Sequence, residues 1–179
     1  MAKSGGKGVA VPAPYEAVHG AWIVSCTPCV SYEEAACHLV PVTDAATGLD
    51  GRYLMLFPDD ESDPQTGLAM SFVPSGGLAF GTVGTLSVAV DGDKIAALTE
   101  PDAVYTEMYG ELFVQPEAVE RLLPALTGGT TLDLGFTDDA GTGEERYSLD
   151  GFAAAVDDLR AHLPAERAPD EAWANGTCQ

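Results

Sequence analysis

The stretch "AWIVSCTPCVSYEEAACHLV", residues 21–40, holds three of the chain's four cysteines, and two readings of it lead to two different folds. Cys26-Thr27-Pro28-Cys29 has the spacing of a thiol-disulfide oxidoreductase. Such a site needs its first cysteine at a helix N-terminus, where the dipole lowers the thiol pKa, inside a strand-helix-strand unit. "AWIVS" supplies a strand, with Trp22 and Val24 on one face and Ile23 and Ser25 on the other. Ser31 and Glu34 have the spacing of a capping box for a helix through "YEEAACHLV". That helix would run at once into "VPV", and no further alternation of strand and helix follows it. The cysteines therefore read as structural disulfides, with a redox dithiol at Cys26 and Cys29 as the alternative.

Outward from this segment the chain reads as short strands. "CHLVPVTD" and "RYLMLFP" are apolar runs separated by the turn-rich residues Asp44 to Gly51, which predicts a hairpin. "DDESDPQTG" is an acidic loop. "LAMSFV", "GLAF" and "TLSVAVDG" are strands broken by "PSGG" and "GTVG", and Asp91-Gly92 is a tight-turn signal. Helical periodicity comes only later. Over residues 116–126, Pro116 suits a first turn, Glu117 suits its positive end, and Val119, Leu122, Leu123 and Leu126 share a face before Gly128-Gly129. Pro124 makes the last turn irregular. "TLDLGFTD" and "RYSLDGF" form a second hairpin around "DAGTGEE", and a final helix over 150–163 buries Phe152, Val156, Leu159 and Leu163. Many short strands with two short helices in the C-terminal half predict an all-β, antiparallel sandwich. Residues 1–18, rich in Gly, Pro and Ala, read as a flexible arm, and 19–163 as the domain. Residues 164–179, "PAERAPDEAWANGTCQ", read as a tail that Trp173 and Cys178 pin to the body.

A chain of 179 residues with 46% apolar residues buries a substantial core in one domain. Its 8 Lys and Arg against 28 Asp and Glu give a formal charge of −20. That potential repels nucleic acid and anionic headgroups, which excludes nucleic-acid binding and favours either simple solubility or a basic partner. The longest uncharged run, Thr66 to Val90, is broken by Pro74, Gly76, Gly77, Gly81 and Gly84, so no transmembrane segment is expected. The N-terminus is not a secretory signal as it stands. A cytoplasmic protein and an exported one whose signal was removed both fit, and the even, clustered cysteines favour export to an oxidising compartment.

The order of elements resembles the invasion-associated locus B (IalB) family of bacterial periplasmic or surface proteins. "HGAWIVSC" followed by "CHLV" is similar to the family's opening Trp strand with its two cysteines. "MSFVPSGGLAFGTVGTLSVAVDG" is similar to its central strands and Asp-Gly hairpin, and "LTGGTTLDLGF" to its helix exit and strand. "YSLDGFAAAVDDL" is similar to its Ser-Leu-x-Gly-Phe ending. The likeness spans Gly20 to Leu163. It implies an immunoglobulin-like β-sandwich, and a non-catalytic, exported role in the cell envelope, periplasmic or secreted, as an interaction or accessory module of a larger assembly. It also implies a Cys26–Cys37 bridge, which leaves Cys29 and Cys178 to pair. The chain departs from the family pattern where a second cysteine pair is usual: "IAALTEPDAVYTEMYGELFVQPE" has none.

Other candidate sites read more simply as structure. Glu33, Glu34, Cys37 and His38 contain ligand types, with Glu34 and His38 one helical turn apart, but His38 precedes apolar Leu39 and Val40 and fits a strand. Asp59, Glu61 and Asp63 followed by Gly67 lack the central glycine and terminal glutamate of a calcium loop. His19, His38 and His162 stand far apart in sequence, with no Gly-x-Ser-x-Gly elbow and no phosphate or dinucleotide fingerprint. The expectation is no enzyme, no cofactor and no metal, and a protein partner, basic or membrane-embedded.

Overall fold

The structure, a computed structural model, describes residues 13–29, 37–47, 52–60, 63, 65–75, 84–106, 110–138 and 141–163. Eleven strands among them form two antiparallel sheets. The larger is ordered β1-β2-β3-β4-β5-β9-β8: Tyr15–His19, Trp22–Cys26, Cys37–Pro41, Tyr53–Pro58, Leu68–Val73, Glu111–Val114 and Ala103–Thr106. The smaller is ordered β11-β10-β6-β7: Gly141–Ser148, Thr131–Asp138, Thr85–Val90 and Asp93–Leu98. Helix α1 is Val42–Thr47, α2 is Pro116–Gly128 and α3 is Phe152–Ala161. The β-dominated antiparallel sandwich expected from the sequence is present. Its first five strands lie side by side as a meander, where an immunoglobulin domain deals consecutive strands between two sheets.

Register lines up one apolar layer across the larger sheet. Trp22 and Val24 face Pro41 and Leu39, Leu39 faces Leu56, Leu54 and Leu56 face Phe72 and Met70, and these face Leu112 and Val114. Because side chains alternate along a strand, a one-residue slip would turn this whole layer outward, so the register is strongly specified. Leu86, Val88 and Leu134 of the smaller sheet join the same core, and the rings of Phe72 and Phe136 meet edge to face at 5.9 Å between the sheets. Helix α2 packs on β5 and β7, and α3 packs on β1, β2 and β3. Both bury the stripes expected for them: Val119, Leu122, Leu123 and Leu126 on α2, and Phe152, Val156 and Leu159 on α3, with Leu163 just beyond. Pro124 is accommodated inside α2.

Several elements differ from the sequence reading. Residues 15–18, placed in the flexible arm, belong to β1, which pairs with β2 from Tyr15–Cys26 to His19–Trp22. Its inward positions are Tyr15, Ala17 and His19, too weakly apolar to show a strand period. The turn expected over 44–51 overlaps α1, which starts at Val42. The buried carboxylate of Asp44 organises it, accepting hydrogen bonds from the Leu54 amide at 3.0 Å and from Arg52 Nε at 3.1 Å. Strands β8 and β9 were not expected, and β7 is the second arm of the Asp91-Gly92 hairpin that the resemblance implied. β7 is an edge strand in which only Leu98 is buried, so it carries little alternation. β11 begins at Gly141, inside the expected turn "DAGTGEE". The expected strand "GLAF", the Ser31–Glu34 helix start and the tail 164–179 lie outside the described residues.

Candidate functional site

A cluster of polar and titratable groups lies where the β1–β2 hairpin meets α3. The two turns interlock through backbone. The Ala21 amide donates to the Asp150 carbonyl at 2.9 Å. Gly20 and Gly151 both have positive φ, 57° and 78°, and a Cβ on Gly151 would meet the His19 carbonyl. Only glycine serves in such a left-handed, close-approach position. On this base Trp22, 0% exposed, donates from Nε1 to the Ser148 carbonyl at 2.9 Å and stands edge to face with Phe152 at 4.9 Å. The segments "HGAW" and "SLDGF", remote in sequence, thus form one contact.

Asp158 of α3 projects into this junction. Tyr15 donates its hydroxyl to the carboxylate at 2.8 Å, and His19 Nε2 lies 2.7 Å from Oδ2. His162 Nδ1 is 2.9 Å from the Asp158 carbonyl oxygen and 3.4 Å from Oδ1, and its ring stacks on Tyr15 at 3.6 Å. A carbonyl only accepts, so Nδ1 of His162 carries the hydrogen. Burial raises the Asp158 pKa, but the hydrogen bonds from His19 and Tyr15, with the His162 and His19 imidazoles, outweigh it and hold the carboxyl below its usual range. The bond to that carboxylate pushes the Tyr15 phenol up. Two of the three histidines therefore meet at one carboxylate. Sequence reading kept them apart because nothing in it placed the first hairpin against the last helix. Its side chains join edge strand β1 to α3, so the cluster works as a latch between them.

A second cluster ties the sheets together. Arg52 donates to Asp44 Oδ1 and Glu145 Oε2, both at 3.1 Å, and lies over the Tyr147 ring at 5.0 Å. Burial pushes the Asp44 carboxyl up against the pull of Arg52, Thr43 and the Leu54 amide, and pushes the Tyr147 phenol strongly upward. Asp133 and Arg146, opposite each other on β10 and β11, form a two-bonded pair at 2.6 and 3.0 Å.

The remaining residues singled out in the sequence fall as follows. Cys26 and Cys37 are directly opposite on β2 and β3 and are disulfide-bonded, as the family resemblance implied. Cys29 is also held in a disulfide, and Cys178 lies outside the described residues. Glu33, Glu34 and Glu61 lie outside them too. His38 is a strand residue opposite Ser25, and burial lowers its pKa. Asp63 accepts from the Gln65 amide at 2.8 Å, and the Asp59 amide donates to the Gly67 carbonyl at 2.9 Å, which closes an ordinary polar loop. Among the described residues no group of three His, Cys, Asp or Glu is placed to hold a metal, and no helix is long and apolar enough to cross a membrane.

Compared with protein-family models, curated proteins and solved structures, the chain has no significant match.

Proposed function

We propose that this chain is a non-catalytic, exported cell-envelope protein of the invasion-associated locus B type, acting as an interaction or accessory module of a larger protein assembly. The observation that supports this reading best is the Cys26–Cys37 bridge. It joins facing residues of two neighbouring strands, so the sulfur that a Cys26/Cys29 dithiol reaction would use is committed to the sheet. A bridge in that position suits a periplasmic or secreted protein, where disulfides persist. The latch around Asp158 and the Arg52 cluster hold the sandwich together, which suits a rigid scaffold rather than a reactive centre. With a charge of −20, the partner this module fits is a basic or membrane-embedded protein surface.

The test is cross-linking and capture from native envelope extract across a salt series. Charge attraction between exposed groups is screened within about 10 Å at 0.1 M salt. Recovery of a basic partner should fall steadily as salt rises, and recovery indifferent to salt would refute the electrostatic part of the reading. The thiol-disulfide alternative is tested on the same preparation: catalysed reduction of a disulfide substrate, lost in Cys29→Ser, would overturn the non-catalytic reading.

A further inference from the structure

An antiparallel sheet packed on the core by one face turns the other to water. In the smaller sheet Leu86, Val88 and Leu134 join the core, so Thr85, Ser87, Gly135 and Thr137, one step along the same strands, point the opposite way. Register sets out that outer face in rows. Thr142, Thr137 and Thr85 lie side by side across β11, β10 and β6, and the next row is Glu144, Gly135 and Ser87. A third row runs Arg146, Asp133, Ala89 and Lys94. The first two rows and Lys94 line an open cleft of about 590 Å³. Small-molecule sites commonly have volumes of about 300–1,000 Å³.

Gly135 makes the hollow. Its φ is not positive, so the backbone itself does not call for glycine there. A Cβ would meet Ser87 Oγ, and the Ser87 hydroxyl donates to the Gly135 carbonyl at 3.2 Å. Glycine inside a strand marks a bulge or a place where another group comes close to the backbone. The bulge of this sheet lies elsewhere, between Val88 and Ala89, next to Lys94. Bulges re-aim the side chains beside them. Lys94 differs from the other cations too. Arg52, Arg121, Arg146 and Arg160 each pair with a carboxylate, whereas Lys94 has no carboxylate partner among the described residues.

We propose that this cleft binds a neutral saccharide over Gly135, its hydroxyls bonded to Ser87 and the row of threonines, with Lys94 donating at one side and Glu144 accepting at the other. Ser and Thr hydroxyls donate and accept, an ammonium only donates and a carboxylate only accepts, a mixture that matches the neighbouring hydroxyls of a sugar ring. Other ligands fit less well. A net charge of −20 repels an anionic sugar, and one lysine does not offset it. A peptide needs pockets for its side chains, and Phe136, the apolar side chain of the lining, turns its ring to Phe72 in the core. Glycoside cleavage uses two carboxyl groups, and Glu144 is the one carboxylate of the lining, so the cleft holds the sugar rather than cutting it.

The test is an amide chemical-shift titration of the full chain with maltotriose, cellotriose and the N-acetylglucosamine trimer. At least one of them should give saturable shifts confined to residues 85–87, 94, 135–137 and 142–144. Its affinity should be the same at low and high salt, which separates this site from the salt-sensitive capture of a basic partner. No shift with any of the three, or shifts centred elsewhere, would overturn the proposal. Lys94→Gln, at an exposed position, should weaken binding about ten-fold through the loss of one charge-assisted hydrogen bond. Gly135→Val fills the hollow and should abolish binding. If that variant does not fold, Lys94→Gln decides alone, and wild-type affinity in it would refute the site. Binding seen only with trigalacturonate, and fading as salt rises, would refute the neutral ligand.

Discussion

Replacing Trp22 with Phe tests whether the first hairpin is pinned to the last helix as the structure shows. The indole is 0% exposed, its N–H is bonded to the Ser148 carbonyl at 2.9 Å, and its ring meets Phe152 at 4.9 Å. Phe keeps a ring but cannot donate, so the Ser148 carbonyl loses a part-buried hydrogen bond at a cost of about 1 kcal/mol. The smaller ring also leaves a void in a packed core, and full truncation of a buried Trp costs about 3–5 kcal/mol. Trp22→Phe should therefore destabilise by about 3 kcal/mol. For a chain of this size 1 kcal/mol moves Tm by about 2–4 °C, so a fall of about 6–12 °C is expected. Urea and thermal unfolding followed by circular dichroism measure it, with an unchanged m-value showing that only stability moved. Combining it with Phe152→Leu isolates the ring contact, which should couple by about 1 kcal/mol. A Trp22→Phe protein within 0.5 kcal/mol of wild type, or strictly additive double-mutant energies, would refute the pin.

Gly151→Ala should be far worse than Gly92→Ala in the same unfolding assay. Both positions have positive φ, 78° and 86°, but only the Cβ at 151 strikes backbone, so Gly92→Ala should cost about 1–2 kcal/mol and Gly151→Ala should cost folded yield. Asp158→Asn should lower stability near neutral pH, and its deficit should close in acid. The folded pKa lies below the unfolded one, near 3.9, so the carboxylate's contribution is fully present above that value and vanishes as pH falls through the folded pKa; a gap that persists at the acid end would contradict the latch. Changing Cys26 and Cys37 together to Ser removes a bridge across 11 residues of sequence, worth about 3 kcal/mol in the chain-entropy model, and chemical denaturation should show that loss without a change in secondary structure.

Much of the sandwich was legible because its strands advertise themselves. Trp22 and Val24, and Leu132 and Leu134, alternate with their neighbours and lie buried where alternation put them, whereas "CHLVPVTD" and "RYLMLFP" showed themselves as strands only by being apolar runs. The helical stripes on α2 and α3 were equally plain. Hidden from hydrophobic periodicity were elements whose inward positions are small or polar. β1 turns Tyr15, Ala17 and His19 inward, and β7 buries only Leu98, so neither carries a hydrophobic period. The Asp158 cluster was illegible for a different reason. Its members come from both ends of the chain, and only the packing of α3 on β1, β2 and β3 brings them together.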